Sequence, residues 1–417
     1  MKEHGFDAVV IGGGSAGMAA ALAIREAGRT VAIVEREDFL GGILMQCIHS
    51  GFGLQWFGQD LTGPEFAERL ISGVVAAGID VFLDTTVTAI EHAGDRHRLV
   101  ACGKKYGVMR LSCGAVVLAM GCRERNRGSI PIAGTRPSGI FTAGLAQRLM
   151  NIDGLIPGRS VVIVGSGDIG LIMARRMTLA GSEVKAVVEI QPYPSGIVRN
   201  IVQCLNDFSI PLLLSHVVSR ITGLDRVDGV EITPLADGKP DYGASFRIDC
   251  DTVLLSVGLI PENELSRKAG VGINGDTGGP TVDSGLMSDV PGIFACGNVL
   301  HVHDLVDYVT EEARRCGASV CRYLSGERRD ERRLAAGSNV RSVIPNSYSP
   351  GAETMLSLRS LIVKNDAVLA VSVDGTPVRT RKLAHVQPSE MIRMVLKSSE
   401  VPPAEEGKAG LMELSIR

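Results

Sequence analysis

The sequence predicts an α/β protein with two Rossmann-like units, the second inserted in the first, and a small β-rich domain at the C-terminal end. Three observations carry this expectation. An apolar strand, a glycine-rich turn, a helix and a second strand ending in an acid occur at residues 8–35 and again at residues 161–189. Each unit then closes on a further apolar strand that runs into glycine, residues 115–121 in the first and 252–258 in the second. Beyond a mixed-charge run at residues 327–333, the chain carries β-type segments and neither glycine signature.

The first turn reads Gly12-Gly13-Gly14-Ser15-Ala16-Gly17, and the second Gly165-Ser166-Gly167-Asp168-Ile169-Gly170. Glycines at this spacing let backbone N–H groups reach a pyrophosphate at a helix N-terminus. The acid at the tip of the second strand, Glu35 or Glu189, accepts from a ribose hydroxyl. One such turn is weak evidence, because glycine-rich turns are common. Two complete units in one chain point to two dinucleotides, and so to a redox relay.

With 417 residues the chain has room for two or three domains. Its 50 glycines and 4% aromatic residues suit a fold rich in tight strand-to-helix turns. A formal net charge of -3 offers no basic footprint for nucleic acid. No apolar run approaches the roughly 20 residues needed to span a bilayer. The polar start shows no signal peptide, so a cytoplasmic location is expected. The nine cysteines form no C-x-x-C pair, which argues against a cysteine-held iron–sulfur or zinc site and against a disulfide-stapled fold.

In order along the chain, a helix is expected over residues 63–77, opened by Pro64, and strands around 81–90 and 98–102. A short helix at 141–150 and the Pro157-Gly158 turn lead into the second unit. A strand at 292–298 precedes a helix at about 304–324, whose apolar Leu305, Val309, Ala313, Cys316, Val320 and Leu324 recur at spacings of three and four. The charged run 327–333 reads as a solvated linker. Strands are expected at 355–363, 368–373 and 378–386, with Asp374-Gly375 as a hairpin turn. The expected domains are 1–123 with 256–330, 124–255, and 335–417. The last should cover a surface or hold a partner rather than do chemistry.

On these motifs the chain, over about residues 5–325, resembles the two-dinucleotide-binding-domain flavoproteins, the pyridine nucleotide–disulfide oxidoreductase superfamily. The resemblance implies FAD on Gly12, Gly14, Ser15, Ala16, Gly17, Glu35 and Arg36, with Gly42, Val87, Ala119 and Gly121 near it. It implies NAD(P)H on Gly165, Gly167, Asp168, Ile169, Gly170, Glu189 and Gly258. The third family signature, Gly-Asp beside the flavin ribityl chain, maps onto Gly297-Asn298, where Asn298 can hydrogen-bond but carries no charge. Residues 41–49, 121–125 and 298–304 resemble the branch found beside flavin-dependent glycerol-3-phosphate and dye-linked amino-acid dehydrogenases. That branch implies an external electron acceptor or a dehydrogenase partner subunit, and a homo- or hetero-oligomer is compatible with it.

Glu189 favours NAD(H) over NADP(H), since a carboxylate repels a 2′-phosphate. Disulfide reductases of the superfamily carry C-x-x-x-x-C after the Gly-Gly pair, but Leu44 and His49 fill those two positions here. A flavin–dithiol relay at that place is therefore excluded. Cys47, with His49 beside it, is a candidate for thiolate or sulfenate chemistry, against the alternative of a small buried hydrophobe. No lysine lies between Lys2 and Lys104, so the lysine the family sets near the flavin has no equivalent. His301 and His303 precede a helix whose N-terminus, by the resemblance, faces the flavin pyrimidine ring. An imidazole there could move a proton near neutral pH, or simply pack at a strand–helix corner. The His-x-His-Asp sequence also suits a metal, but no third ligand is visible and none is expected. The expected function is an FAD-dependent NADH:acceptor oxidoreductase. The alternatives are an electron-transfer subunit of a multi-component dehydrogenase and a Cys47-dependent peroxide or disulfide reductase.

Overall fold

Residues 8–11, 31–34 and 115–118 are apolar without interruption, and in the structure every one of them is buried. Parallel strands covered on both faces read this way, as continuous apolar runs rather than alternating ones. In this computed structural model, which describes residues 2–401 and 410–417, the three runs are the centre of a seven-stranded sheet. Its order is Asp80–Phe82, Val31–Val34, Lys2–Ile11, Gly107–Leu118, Arg96–Gly103 and Thr85–Ala93, with Ile293–Ala295 also paired to Gly107–Leu118. Ala8 stands opposite Val31 on one side and Ala115 on the other.

Strand Gly107–Leu118 is longer than the expected 115–121 because its two halves have different partners. Residues 107–113 pair antiparallel with Arg96–Gly103, and residues 116–118 pair parallel with Ile293–Ala295. The helix Gly63–Ala76 starts on a capping box between Thr62 and Glu65, with Pro64 in its first turn. The helices Ser15–Glu26 and Val306–Leu324 pack together, Gly317 lying so close that a Cβ there would stand 2.6 Å from the Ala20 carbonyl oxygen.

The chain folds as two compact units, residues 1–122 with 261–417, and residues 123–260. The second of these holds a parallel sheet ordered Ile140–Thr142, Thr252–Leu255, Ser160–Val164, Glu183–Glu189 and Leu212–Leu214. It also holds the antiparallel pair His216–Gly223 and Val227–Ala236, which the sequence analysis passes over. Among the described residues no helix is long and apolar enough to cross a membrane.

The C-terminal residues form strands around their own core of Tyr348, Leu356, Leu369 and Leu414. The Asp374-Gly375 turn joins Lys364–Val373 to Thr376–Val386, both turn residues at positive φ, 48° and 81°. The expected solvated linker is not one throughout. Strand Arg332–Ala336 begins inside it, and the Glu331 carboxylate accepts from the Ser284 and Ser347 hydroxyls at 2.5 and 2.6 Å. The tail also grips residues 302–311. The Arg359 guanidinium donates to Asp304 Oδ1 at 2.5 Å and to the Val302 carbonyl at 3.0 Å, and Met391 N donates to Asp304 Oδ2 at 2.6 Å. Arg393 pairs with Glu311 at 2.7 Å and lies 3.9 Å over the Tyr308 ring.

Arg359 is therefore the expected anchor of the tail. Arg359→Met keeps the aliphatic stem but strands Asp304 and the Val302 carbonyl, and hydrogen bonds to charged groups contribute about 1.5–3 kcal/mol. Urea unfolding should show a loss of that size, together with earlier tryptic cutting in residues 335–396. An unchanged midpoint and cleavage pattern would count against the anchor.

Candidate functional site

The first glycine turn is shaped by what it cannot accommodate. Gly12 has φ +107°, and a Cβ there would run into the Ala119 carbonyl oxygen. A Cβ on Gly17 would run into the carbonyl oxygen of Gly12. Glu35, at the end of the second strand and 7% exposed, clasps the turn. Its Oε2 accepts from Gly13 N at 2.5 Å and its Oε1 from Glu37 N at 2.9 Å. Gly14 is the exception, because a Cβ there would meet nothing within 4 Å. The bare space lies at the N-terminus of the helix Ser15–Glu26, where backbone N–H groups favour an anion. These residues fit a dinucleotide pyrophosphate.

Around this turn the structure gathers most of the expected residues. Gly42 packs against Gly14, a Cβ on it falling 3.2 Å from the Gly14 Cα. Gly297 sits against the first helical turn, where its Cβ would lie 2.8 Å from Ala16 Cβ. Ala119 N donates to Ile11 O at 2.9 Å, and the Gly121 carbonyl accepts from Glu262 N at 3.0 Å. Val87 is buried in the strand Thr85–Ala93, while the Arg36 side chain is 71% exposed and 3.6 Å from Glu37.

The second turn repeats the arrangement. Gly165 has φ +93°, with its Cβ direction blocked by the Ser256 carbonyl oxygen, whereas a Cβ on Gly167 would meet only Ser256 Oγ at 3.7 Å. Glu189, 4% exposed, accepts at Oε2 from Ser166 N and Oγ at 2.9 and 2.6 Å, and at Oε1 from Gln191 N at 2.9 Å. Asp168, at the start of the helix that also holds Ile169 and Gly170, organises the next loop. Its Oδ1 accepts from Ile197 N at 3.0 Å and from Asn200 Nδ2 at 2.7 Å. The closing strand, Thr252–Leu255, is shorter than the expected 252–258, and Gly258, at φ +101°, lies past its end, just before Leu259–Pro261.

His301 and His303 come together on a residue the sequence analysis misses, Glu312. His301 Nε2 lies 2.8 Å and His303 Nε2 3.3 Å from Glu312 Oε2, and Glu312 Oε1 accepts from Gly297 N at 2.8 Å. The two ring centroids lie 4.1 Å apart, with the planes tilted by 39°. Burial alone would raise the Glu312 carboxyl, but His303 and His301 outweigh it and hold the group well below the usual carboxylate range. Burial and then the neighbouring His303 push the His301 imidazole down. Asn298 Oδ1 accepts from His303 N at 3.0 Å, and its Nδ2 faces Cys122 Sγ at 3.6 Å. Asp307, also unforeseen, is 3% exposed and accepts from the backbone N–H groups of Gly53, Gln55 and Trp56 at 3.1, 2.9 and 2.8 Å.

Cys47 is buried, with its thiol 3.3 Å from the Ile43 carbonyl oxygen, and burial pushes it up to about 12. It is a protonated thiol at neutral pH. His49 Nδ1 lies 3.0 Å from the Ser50 carbonyl oxygen, its ring 5.0 Å from Phe52. Cys204, at the end of the helix Val198–Cys204, and Cys316, on the apolar stripe of Val306–Leu324, are both buried.

With two clasped glycine turns in place, the comparisons with known proteins agree. The chain belongs to the pyridine nucleotide-disulphide oxidoreductase family, whose model matches residues 6–315. It is 28% identical over 287 residues to hydrogen cyanide synthase subunit HcnB of Pseudomonas protegens, covering 63% of this chain and 58% of that relative. It therefore spans little more than half of that protein. It is 26% identical over 357 residues to the glutamate synthase [NADPH] small chain of Mycobacterium tuberculosis, covering 78% and 68%. Among solved structures, T. acidophilum thioredoxin reductase superposes with TM-score 0.63 at 22% identity, over 76% of this chain and 98% of that one. A persulfide reductase from A. fulgidus superposes with TM-score 0.58 at 20% identity, over 94% and 71%. These likenesses show the fold, two Rossmann domains of the thioredoxin reductase kind.

Two outcomes follow from the geometry. Gly14→Val should keep the circular dichroism of the wild type and lose most of its FAD, whereas Gly12→Ala should unfold earlier, costing about 1–3 kcal/mol in backbone strain. Equal flavin content in Gly14→Val and wild type would refute the cradle. For Cys47, the folded thiol at about 12 holds its proton while an unfolded thiol near 9 releases its own. Its contribution to stability is thus full below pH 9 and lost as the pH rises toward 12. At pH 7.5 iodoacetamide should modify exposed Cys102 well before Cys47, as read by peptide mass spectrometry.

Proposed function

We propose that the protein is a cytoplasmic FAD-dependent NADH:acceptor oxidoreductase that passes electrons to an external acceptor or partner subunit without an internal redox disulfide. The observation that carries this reading is the pair of carboxylate-clasped turns, each leaving one glycine, Gly14 or Gly167, open to a pyrophosphate. A bound flavin would supply hydride acceptance and release of electrons singly or in pairs. Gly12, Gly17 and Glu35 hold its turn; Asn298, fixed by His303 N, offers an uncharged amide to the ribityl chain.

The preference for NADH rests on Glu189. Oε1 takes Gln191 N and retains acceptor capacity for a ribose hydroxyl, while a 2′-phosphate would meet a buried carboxylate. Electron output through Cys47 is disfavoured by a thiol held protonated and enclosed. The second reading, an electron-transfer subunit of a multi-component dehydrogenase, is favoured by relatives whose names are those of components of larger enzymes. They are HcnB, the glutamate synthase small chain and an opine oxidase subunit of Agrobacterium tumefaciens. The two readings overlap, and turnover of the purified chain with an artificial electron acceptor separates them.

Stopped-flow bleaching of the flavin should run roughly tenfold to a hundredfold more efficiently with NADH than with NADPH, a difference of about 1.4–2.8 kcal/mol. Glu189→Gln should narrow that ratio, and Cys47→Ser should leave the NADH rate within about twofold. A wild-type preference for NADPH defeats the assignment of Glu189. Loss of flavin reduction in Cys47→Ser defeats the thiol-independent route.

A further inference from the structure

We propose that His301, His303 and Glu312 bind one divalent cation of the zinc class, which fastens the Gly297-Asn298 loop to the helix Val306–Leu324. Their donor atoms all lie within 4.8 Å of one another, on side chains that are 9%, 2% and 3% exposed. Zinc bonds to nitrogen and oxygen at about 2.0–2.1 Å, and tetrahedral geometry then sets ligand atoms roughly 3.3 Å apart. The His303 Nε2–Glu312 Oε2 separation of 3.3 Å matches that spacing, while the His301 pair, at a hydrogen-bond distance of 2.8 Å, would have to open by about half an ångström to admit the ion.

The hydrogen-bond donors point the same way. His303 Nδ1 lies 3.0 Å from the His301 carbonyl oxygen, which can only accept, so the hydrogen of a neutral His303 ring is on Nδ1. Its Nε2 then turns a lone pair toward a carboxylate oxygen that already faces His301 Nε2. In that tautomer both imidazoles present Nε2 to the same carboxylate oxygen, the arrangement in which a cation can be held by all three groups. Fixing one ring nitrogen on a backbone carbonyl is also how histidine ligands are oriented toward metals. Gly297 N, bound to Glu312 Oε1, turns Oε2 toward the two rings.

The donor set selects the cation. Two imidazoles and a carboxylate suit borderline transition ions, whereas calcium and magnesium take oxygen ligands. The cation would join two stretches of chain, residues 301–303 and the helix Val306–Leu324, and Asn298 is tied to the first of them because its side chain already receives His303 N. Its role is structural, and no electron or proton transfer is assigned to it. A proton occupying the same position is the competing assignment.

The flavin-loaded full chain, stripped with a chelator and dialysed, would be titrated with zinc chloride against a chromogenic competitor and its metal counted by mass spectrometry. One zinc per chain is expected. Its K-edge absorption should show a nitrogen and oxygen shell at about 2.0–2.1 Å with imidazole scattering and no sulfur. Glu312→Gln should bind at least tenfold more weakly per folded chain. Should that variant fail to fold, the wild-type absorption spectrum decides alone. Failure to bind stoichiometric zinc, a sulfur-containing shell, or equal affinity in folded Glu312→Gln would overturn the site.

Discussion

The clasp between Glu35 and the backbone of the first glycine turn is the constraint on which the rest of the structure depends. Three chain segments meet there: the end of Lys2–Ile11, the tip of Val31–Val34 and Ala119 after Gly107–Leu118. They approach so closely that Gly12 admits no side chain, and a buried carboxylate is tolerable there because backbone N–H groups satisfy it. Every later element of the first nucleotide unit is placed by this meeting. Gly42 and Gly297 pack onto the same turn from distant parts of the sequence. Ser166, Glu189 and Gln191 reproduce the clasp almost bond for bond, so the internal repeat extends from sequence pattern to hydrogen bonding.

That constraint explains why so much of the fold was legible. A strand buried on both faces must be apolar throughout, and a turn with no room for Cβ must be glycine, so both leave direct marks on composition. The Asp374-Gly375 hairpin was equally readable, because two residues at positive φ restrict the choice of side chain. The pair His216–Gly223 and Val227–Ala236 was passed over, for its buried side chains, Val218 and Ile221 on one strand and Val227, Val230, Ile232 and Thr233 on the other, follow no strict alternation and carry no glycine signature. The charged run before the tail misled for a different reason. Glu331 has the look of a solvated residue until two serines from distant segments are folded against it.

The site was less legible than the fold, and Glu312 and Asp307 show why. An acid on an amphipathic helix ordinarily marks the wet face, and the apolar stripe through Val309, Ala313, Cys316 and Val320 was found on that assumption. The helix Val306–Leu324 in fact buries Asp307, Thr310 and Glu312 as well. Thr310 donates to the Val306 carbonyl of its own helix, but the partners of Asp307 and Glu312 are backbone N–H groups and imidazoles brought in by tertiary contact, which no local pattern encodes. The histidines were visible as a pair; the group that unites them was not.

This polar helix also gives the tail a place in the molecule's chemistry. Asp307 gathers the loop at residues 53–56, Glu312 gathers Gly297 and the histidines, and Asp304 and Glu311, at its beginning and first turns, receive Arg359 and Arg393. Residues 302–311 are therefore held from one side by the β-rich tail and from the other by the loop that carries Asn298. Moving the tail strands would strain Asp304 and the Val302 carbonyl, the immediate neighbours of His303. On the proposed reading, in which electrons leave for an external acceptor, a partner docked on the tail would act on the third signature through these few charge-assisted bonds. A tail that merely sheltered the core by apolar contact would have no such lever.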